Sequence, residues 1–522
     1  MIIYGFHRTG FDGQPIAVEI DVRPGGLPGI DLVGLPDNAV KEAKERVRSG
    51  VRNAGYEIPR GRILLNLAPA GIRKEGAGFD LPIAMALVGA AMGWYSAVSD
   101  KWQRLENLKI MALGEIQLSG AVMGVRGVLS AAAASEEYGI DYLFVPAENR
   151  EEALSLGGGK IIGIASISEG IECLVSLSNG IEPVPHTDDR RERDDCSIGK
   201  SHPDFADVKG QPFLKRGMEI AAAGGHHTLV FGVPGTGKTM SALRLAGILP
   251  ELSREESVEV TKIHSIAGKL HRASRLIRTP PLRSPHHSSS LQGILGGGKV
   301  LLPGEISLAH NGVLVLDEAP EFPKYVLQNL REPMERGEVR IARAGISVCF
   351  PARFQLVMTA NPCPCGNLGK KKAVCICSRD EIARYWRKIG GALLDRMDIR
   401  IPVSPDRARV LGGESGEPSS AIRERISASR DFRITRRGQT IKNADLSPSM
   451  IGDYVVLPQT CRALLADACE TLDLSSRAVH SVQRVARTIA DLAFSEEISV
   501  EHLKEAILYR RYGDSNMLWT KL

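Results

Sequence analysis

"HHTLVFGVPGTGKTMSALRLAGIL", residues 226 to 249, decides the fold of the larger part of this chain. It opens on a short apolar, β-rich run and closes on a helical run, with G-x-x-x-x-G-K-T between them at 232 to 239. A strand that feeds a glycine-rich turn opening a helix is the context a phosphate-binding loop needs. The turn formed by Gly232, Pro234, Gly235, Thr236 and Gly237 lets backbone N–H groups and the helix N-terminus surround phosphate oxygens. Lys238 then reaches the β and γ oxygens of a nucleoside triphosphate, and Thr239 offers its hydroxyl to Mg2+.

Working downstream, "GVLVLDEAPEF" (312 to 322) ends an apolar strand on two adjacent carboxylates. They divide the labour that hydrolysis requires: Asp317 holds the magnesium shell and Glu318 polarises the attacking water. A third apolar run, "FQLVMTAN" (354 to 361), ends on Asn361, placed to orient that water. "GALLDRMDIR" (391 to 400) presents Arg396, of the kind that stabilises charge at the γ-phosphate, commonly from a neighbouring subunit.

These apolar strands alternate with helical stretches, as a parallel sheet with crossover helices demands. Working upstream, residues 183 to 204, "PVPHTDDRRERDDCSIGKSHPD", are charged and bracketed by proline, a linker composition. Residues 1 to 182 before it mix β-rich runs such as "RILLNLAP" with helical ones, an α/β or α+β domain. The ATPase-type domain is expected over 205 to 404. Near 404 to 420 glycine, proline and serine break the pattern, and "SRAVHSVQRVARTIADLAF" beyond them has helical periodicity, so 405 to 522 is expected to be an all-α lid.

At 522 residues the chain is too long for one core, and its net charge of +5 permits a polyanionic partner without requiring one. The longest apolar run, "LPIAMALVGAAMGW" (81 to 94), is well short of the roughly 20 residues that span a bilayer. A cytoplasmic protein without a membrane partner is expected. In that compartment clustered cysteines favour metal over disulfides. Cys363, Cys365, Cys375 and Cys377 form C-x-C-x9-C-x-C in a polar stretch, a set able to close a structural Zn2+ site, although C-x-C is less diagnostic than C-x2-C.

The order of P-loop, "VLVLDE", "TAN" and "LLDRMD" resembles the AAA+ ATPases of the magnesium-chelatase-like branch. "RSPHHSSSLQGILGGGKVLLPGEISLAHNGVLVLDEAPEF" (283 to 322) and "LREPMERGEVRIARAG" (330 to 345) resemble the competence-associated ComM (YifB-type) family within it, nearly end to end. The resemblance implies ATP and Mg2+ as cofactors and a hexameric ring of identical chains that moves DNA junctions or strands without regard to base sequence. It makes "GEVRIARAGISVCF" a pore-facing hairpin and "LQGILGGGKVLLPG" a pore-facing insertion, so that Lys299, Arg340 and Arg343 become candidates for gripping a phosphate backbone. It also makes Arg477 the lid arginine that contacts nucleotide in cis, with Arg484 as its nearest rival.

The first domain carries a second resemblance. "RKEGAGFDLPIAMAL" (73 to 87) and "GEIQLSGAVMGVRGVLSAAAASEEYGIDYLFVPAEN" (114 to 149) look like the parts of Lon protease that hold its serine and lysine. The serine position falls on Gly78 and the lysine position on Leu129, so the dyad is absent, and no lysine lies near Ser119 or Ser130 in sequence to activate either one. A Lon-like fold without peptidase chemistry follows. Two other functions share the ATPase core: a motor subunit that inserts Mg2+ into a porphyrin, and an ATP-dependent protease.

Overall fold

A computed structural model describes residues 2–23, 29–72, 74, 76–94, 102–156, 160–183, 202–270, 276–298, 300–343, 346–370, 373–404 and 416–512. Most of the expected linker, and Lys299, lie outside the described residues. The chain divides into two compact units: one of Met1–Ile198, Ser257–Ile277 and Ala342–Cys349, the other of Gly199–Glu256, Arg278–Ile341 and Phe350–Leu522.

The second unit is built on a five-stranded parallel sheet. Its order is Leu282–Arg283, Val313–Leu316, Gln355–Ala360, Thr228–Gly232, Ile399–Val403. The three central strands are buried along their whole length, which is why the sequence shows them as unbroken apolar runs rather than alternating ones. Alternate residues feed two separate cores. Val230, Val313, Val315 and Val357 enter one, while Leu229, Phe231, Leu314, Leu316, Leu356 and Met358 enter the other with Phe322, Trp386 and Leu393.

Helices after residue 416, Ser419–Arg437, Pro448–Tyr454, Gln459–Leu472, Ser476–Leu492 and Val500–Arg510, do not bury a core of their own. Ile422, Val482, Val485, Ile489 and Leu503 share a single core with the sheet valines. Close approach is secured by Gly217 on helix Pro212–Gly224, where a Cβ would lie 2.7 Å from Ile401 and 2.9 Å from Tyr509. The helical stripe read from sequence thus faces the sheet, so lid and ATPase core form one compact body.

The first unit holds a seven-stranded mixed sheet in the order Gly29–Val33, Arg62–Ala68, Asp12–Arg23, Ile3–Thr9, Ile110–Ala112, Tyr142–Pro146, Lys160–Ile164. Ile3–Thr9, Asp12–Arg23 and Arg62–Ala68 pair antiparallel, and the remaining pairs are parallel. Helix Asp80–Ala91 is buried almost all round, which its near-continuous apolar sequence requires. Gly78 has nothing within 4 Å of where a Cβ would stand, and Leu129 is fully buried. Ser130 donates to the Phe11 carbonyl at 3.1 Å, and the Ser119 hydroxyl accepts from the Ala121 N–H at 3.4 Å.

Candidate nucleotide-binding site

Strand Thr228–Gly232 delivers the loop at its finishing end, and helix Lys238–Ile248 starts directly after Gly237. Gly235 and Gly237 sit at φ 81° and 84°, a left-handed backbone that glycine adopts without strain. Gly232 has a different reason to be glycine: a Cβ there would meet the Val403 carbonyl oxygen at 2.1 Å.

Lys238 is buried, and its Nζ donates to the carbonyls of Gly232 at 2.8 Å and Val233 at 3.0 Å and to Asn361 Oδ1 at 3.2 Å. Burial pushes its pKa down, against the pull of Asp317 and Glu318. Thr239 donates its hydroxyl to Asp317 Oδ1 at 2.7 Å, which brings both expected magnesium ligands to one point. Glu318 holds a left-handed backbone at φ 51°, the kind of strained conformation that clusters at active sites. Asn361 Nδ2 reaches Glu318 Oε1 at 3.4 Å. Lys238, Thr239, Asp317, Glu318 and Asn361 are therefore brought together.

Sequence reasoning missed Thr359. Its hydroxyl donates to Asp317 Oδ1 at 2.6 Å and accepts from the Glu318 N–H at 2.9 Å, tying the two carboxylate residues to the strand that ends on Asn361. The only signal was a hydroxyl residue inside an otherwise apolar buried run.

Three family profiles match in succession: "Subunit ChlI of Mg-chelatase" over residues 18–149, "Magnesium chelatase, subunit ChlI" over 204–411, and "Magnesium chelatase, subunit ChlI C-terminal" over 416–510. YifB of Escherichia coli is 39% identical over 98% of this chain and 96% of its own length. The competence protein ComM of Haemophilus influenzae is 38% identical over 98% and 97%. The chain belongs to the ComM/YifB-type, magnesium-chelatase-like family of AAA+ ATPases. By contrast the 38 kDa magnesium-chelatase subunit of Rhodobacter capsulatus is 31% identical over 30% of this chain and 50% of its own length. Membership of this family implies ATP and Mg2+, and Lys238, Thr239 and Asp317 are the residues that would offer them the charge and the oxygen ligands.

In this ComM/YifB-type chain Arg396 and Arg477 lie elsewhere. Strand Ile399–Val403 runs parallel to Thr228–Gly232, with Ile399 opposite Thr228 and Val403 opposite Gly232. Arg396, three residues before Ile399, is therefore at the starting edge of the sheet. The P-loop is at the finishing edge, about 13 Å or more away at 3.3 Å per residue. Arg396 binds Glu335, and Arg477 donates to the same carboxylate at 2.9 Å. Burial raises the Glu335 pKa, but hydrogen bonds from Arg396 and Arg477 more than offset this and hold it below the usual carboxylate range. Arg477 was expected to meet nucleotide in cis. The structure places it instead on Glu335, because helix Ser476–Leu492 is held through Ser481 and Thr488 to Asp398 and His226 at the starting edge of the sheet.

Arg396, Arg477 and Glu335 line a cleft of about 780 Å³ together with Arg336, Arg353 and Arg484, and no P-loop residue borders it. The Arg396 Nε is buried and has no hydrogen-bond partner. Arg484 is committed elsewhere, donating to Asp398 at 3.3 Å and to the Leu446 carbonyl at 3.4 Å.

Arg340 and Arg343 stand exposed on the hairpin Glu338–Arg343/Ile346–Pro351, and Arg340 pairs with Glu338 at 2.7 Å. Directly after Asn361, the sulfur atoms of Cys363, Cys365, Cys375 and Cys377 all lie within 4.8 Å of one another. Among the described residues no helix is long and apolar enough to cross a membrane.

Proposed function

We propose that this protein is a ring-forming DNA motor in which each copy hydrolyses ATP with arginines supplied by its neighbour. Asp317 and Thr239 hold the metal ion, Lys238 neutralises the phosphates, Glu318 takes the proton of the attacking water, and Asn361 orients that water. One observation carries the reading: Arg396 and Arg477 share a carboxylate at the edge of the sheet that their own P-loop does not occupy. A second copy, with its P-loop facing that cleft, gives both arginines a γ-phosphate to bind. A closed ring of six satisfies every seam at once.

DNA is the favoured track because Arg340 and Arg343 project from a hairpin, and because the similarity to ComM and YifB spans the whole chain. Contacts to the phosphate backbone make binding salt-dependent and insensitive to sequence, which suits strand or junction movement in recombination or transformation. Porphyrin metallation is the weaker reading, since the chelatase subunit aligns with under a third of the chain. Proteolysis is disfavoured by Gly78 and Leu129 at the dyad positions. The first unit then serves assembly or docking, and the four cysteines take a structural Zn2+.

ATPase rates with four-way DNA junctions, with porphyrin plus chelatase partners, and with unfolded protein separate these readings. Stimulation by junctions, abolished in Lys238→Ala protein, is the expected result. Stimulation only by one of the other two would overturn it.

A further inference from the structure

The thiols beyond Asn361 take no part in nucleotide chemistry, yet their spacing is that of a coordination shell. Cys363 Sγ stands 3.4 Å from Cys365 Sγ and 3.6 Å from Cys375 Sγ, and Cys365 to Cys375 is also 3.6 Å. A disulfide closes to about 2.05 Å, and all four cysteines are free thiols. Four sulfurs at about 2.3 Å from a tetrahedral Zn2+ are about 3.8 Å apart along each edge. The three separations fall within a few tenths of an ångström of that value.

Cys363 belongs to the apolar core on one side of the sheet and Cys365, Cys375 and Cys377 pack against it, but burial of the stretch is incomplete. Only Cys363 is buried, and the flanking Val374 and Ile376 are 81% and 84% exposed. The Leu368 N–H points at Cys363 Sγ from 3.4 Å, a donor suited to a thiolate.

The loop is also joined to the ATP site at two places and to the following helix at a third. Asn361 is two residues before Cys363 and accepts from Lys238 at 3.2 Å. Gly366 lies so close to the P-loop that a Cβ on it would come within 2.7 Å of Pro234 Cγ. The Pro362 carbonyl accepts from Trp386 Nε1 at 3.2 Å, on the helix Arg379–Arg387 that starts just after Cys377.

We infer that Cys363, Cys365, Cys375 and Cys377 bind one Zn2+ ion, and that the loop it closes holds Asn361 and Pro234 in register for hydrolysis. Four thiolates leave no open position, so the metal acts on structure and not on substrate. Between Gly366 and Cys377 there is little apolar material to fix the loop otherwise, so metal binding supplies the folding energy locally. The metal site stands independently of the ATPase reading, whereas its effect on Asn361 rests on it.

Elemental analysis of the full-length protein is expected to give one zinc per chain, released by a mercurial thiol reagent into a chromogenic chelator. Cys377→Ser is expected to lose the ion, while Cys377→His, which keeps a ligand, retains it. Circular dichroism and a fluorescent ATP analogue check that the Ser variant stays folded and still binds nucleotide. Its turnover is expected to fall at least about tenfold, and the His variant to recover most of it. Less than about 0.2 zinc per chain in freshly purified, ATP-hydrolysing protein sinks the metal site. Zinc loss with unchanged turnover, or loss of folding in both variants, sinks the coupling. A zinc-loaded wild type with no ATPase activity leaves the metal site in place and overturns both the coupling and the motor reading.

Discussion

Arg477 hydrogen-bonds Glu335 at 2.9 Å, on the carboxylate that also binds Arg396. A lid arginine and a core arginine thus converge on one anion, far from the phosphate loop of their own chain. A γ-phosphate presented by a neighbouring copy carries more charge than Glu335 and would compete for both guanidinium groups.

If so, Arg396→Ala lowers ATP turnover by roughly 10³-fold, the range for a transition-state arginine, with ATP affinity nearly unchanged. Arg477→Ala falls in the same direction. Added in increasing ratio to wild-type protein, the Arg396→Ala chain is expected to depress turnover per wild-type subunit. Unaltered turnover in such mixtures means that no arginine crosses the seam.

Glu335→Gln removes the shared anchor. Glu335 is half-exposed, so thermal stability is expected to shift by less than about 1 kcal/mol. The effect reads instead as a changed KM or kcat, since both arginines lose the negative charge that orients them. Parallel melting curves and steady-state kinetics check this.

Glu318→Gln keeps the fold and ATP binding but loses the group that accepts the water proton, so hydrolysis drops by about 10² to 10⁴. Thr359→Val is subtler, because it removes the acceptor of the part-buried Glu318 N–H, at a cost of about 1 kcal/mol. Turnover is expected to fall with little change in nucleotide affinity. Kinetics together with a fluorescent nucleotide titration distinguish the two variants.

Asp398 is buried and accepts from Ser481 at 2.6 Å, His226 Nδ1 at 3.0 Å and Arg484 at 3.3 Å. Burial alone would raise its pKa, but Arg484, His226 and Ser481 together hold it far below the usual carboxylate range. A depressed carboxylate contributes its stability above the unfolded value near 3.8 and loses it as pH falls through the folded one. Asp398→Ala is therefore expected to cost about 3 kcal/mol at pH 7, since it leaves the buried His226 and Ser481 without their acceptor and the half-buried Arg484 without its counter-charge. Melting temperatures from pH 7 down to 3.5 should decline less steeply for the variant than for the wild type below about pH 4.

Gly217→Ala places a methyl group 2.7 Å from Ile401 and 2.9 Å from Tyr509, where helix, sheet and lid meet. Overpacking of this kind costs about 1–3 kcal/mol. A lowered denaturant midpoint with an unchanged slope would bear it out, whereas wild-type stability would mean that the three elements separate easily.

The sequence by itself determined the phosphate loop, the carboxylate pair and Asn361, because each is a local event: a buried apolar run ending in a polar residue, or a glycine turn opening a helix. Strands covered on both faces also need no alternation, so their apolar runs stood out. The four cysteines were legible for the same reason, since all lie within fifteen residues. Tertiary structure alone decided where the arginines go. Arg477 and Glu335 are 142 residues apart, and nothing in either neighbourhood encodes their meeting. The helical stripe of residues 476 to 494 showed that a face is buried but not against what. Its packing on the sheet valines carries Arg477 to the edge opposite its own P-loop, because side-chain periodicity fixes a face whereas only the shared core fixes its partner.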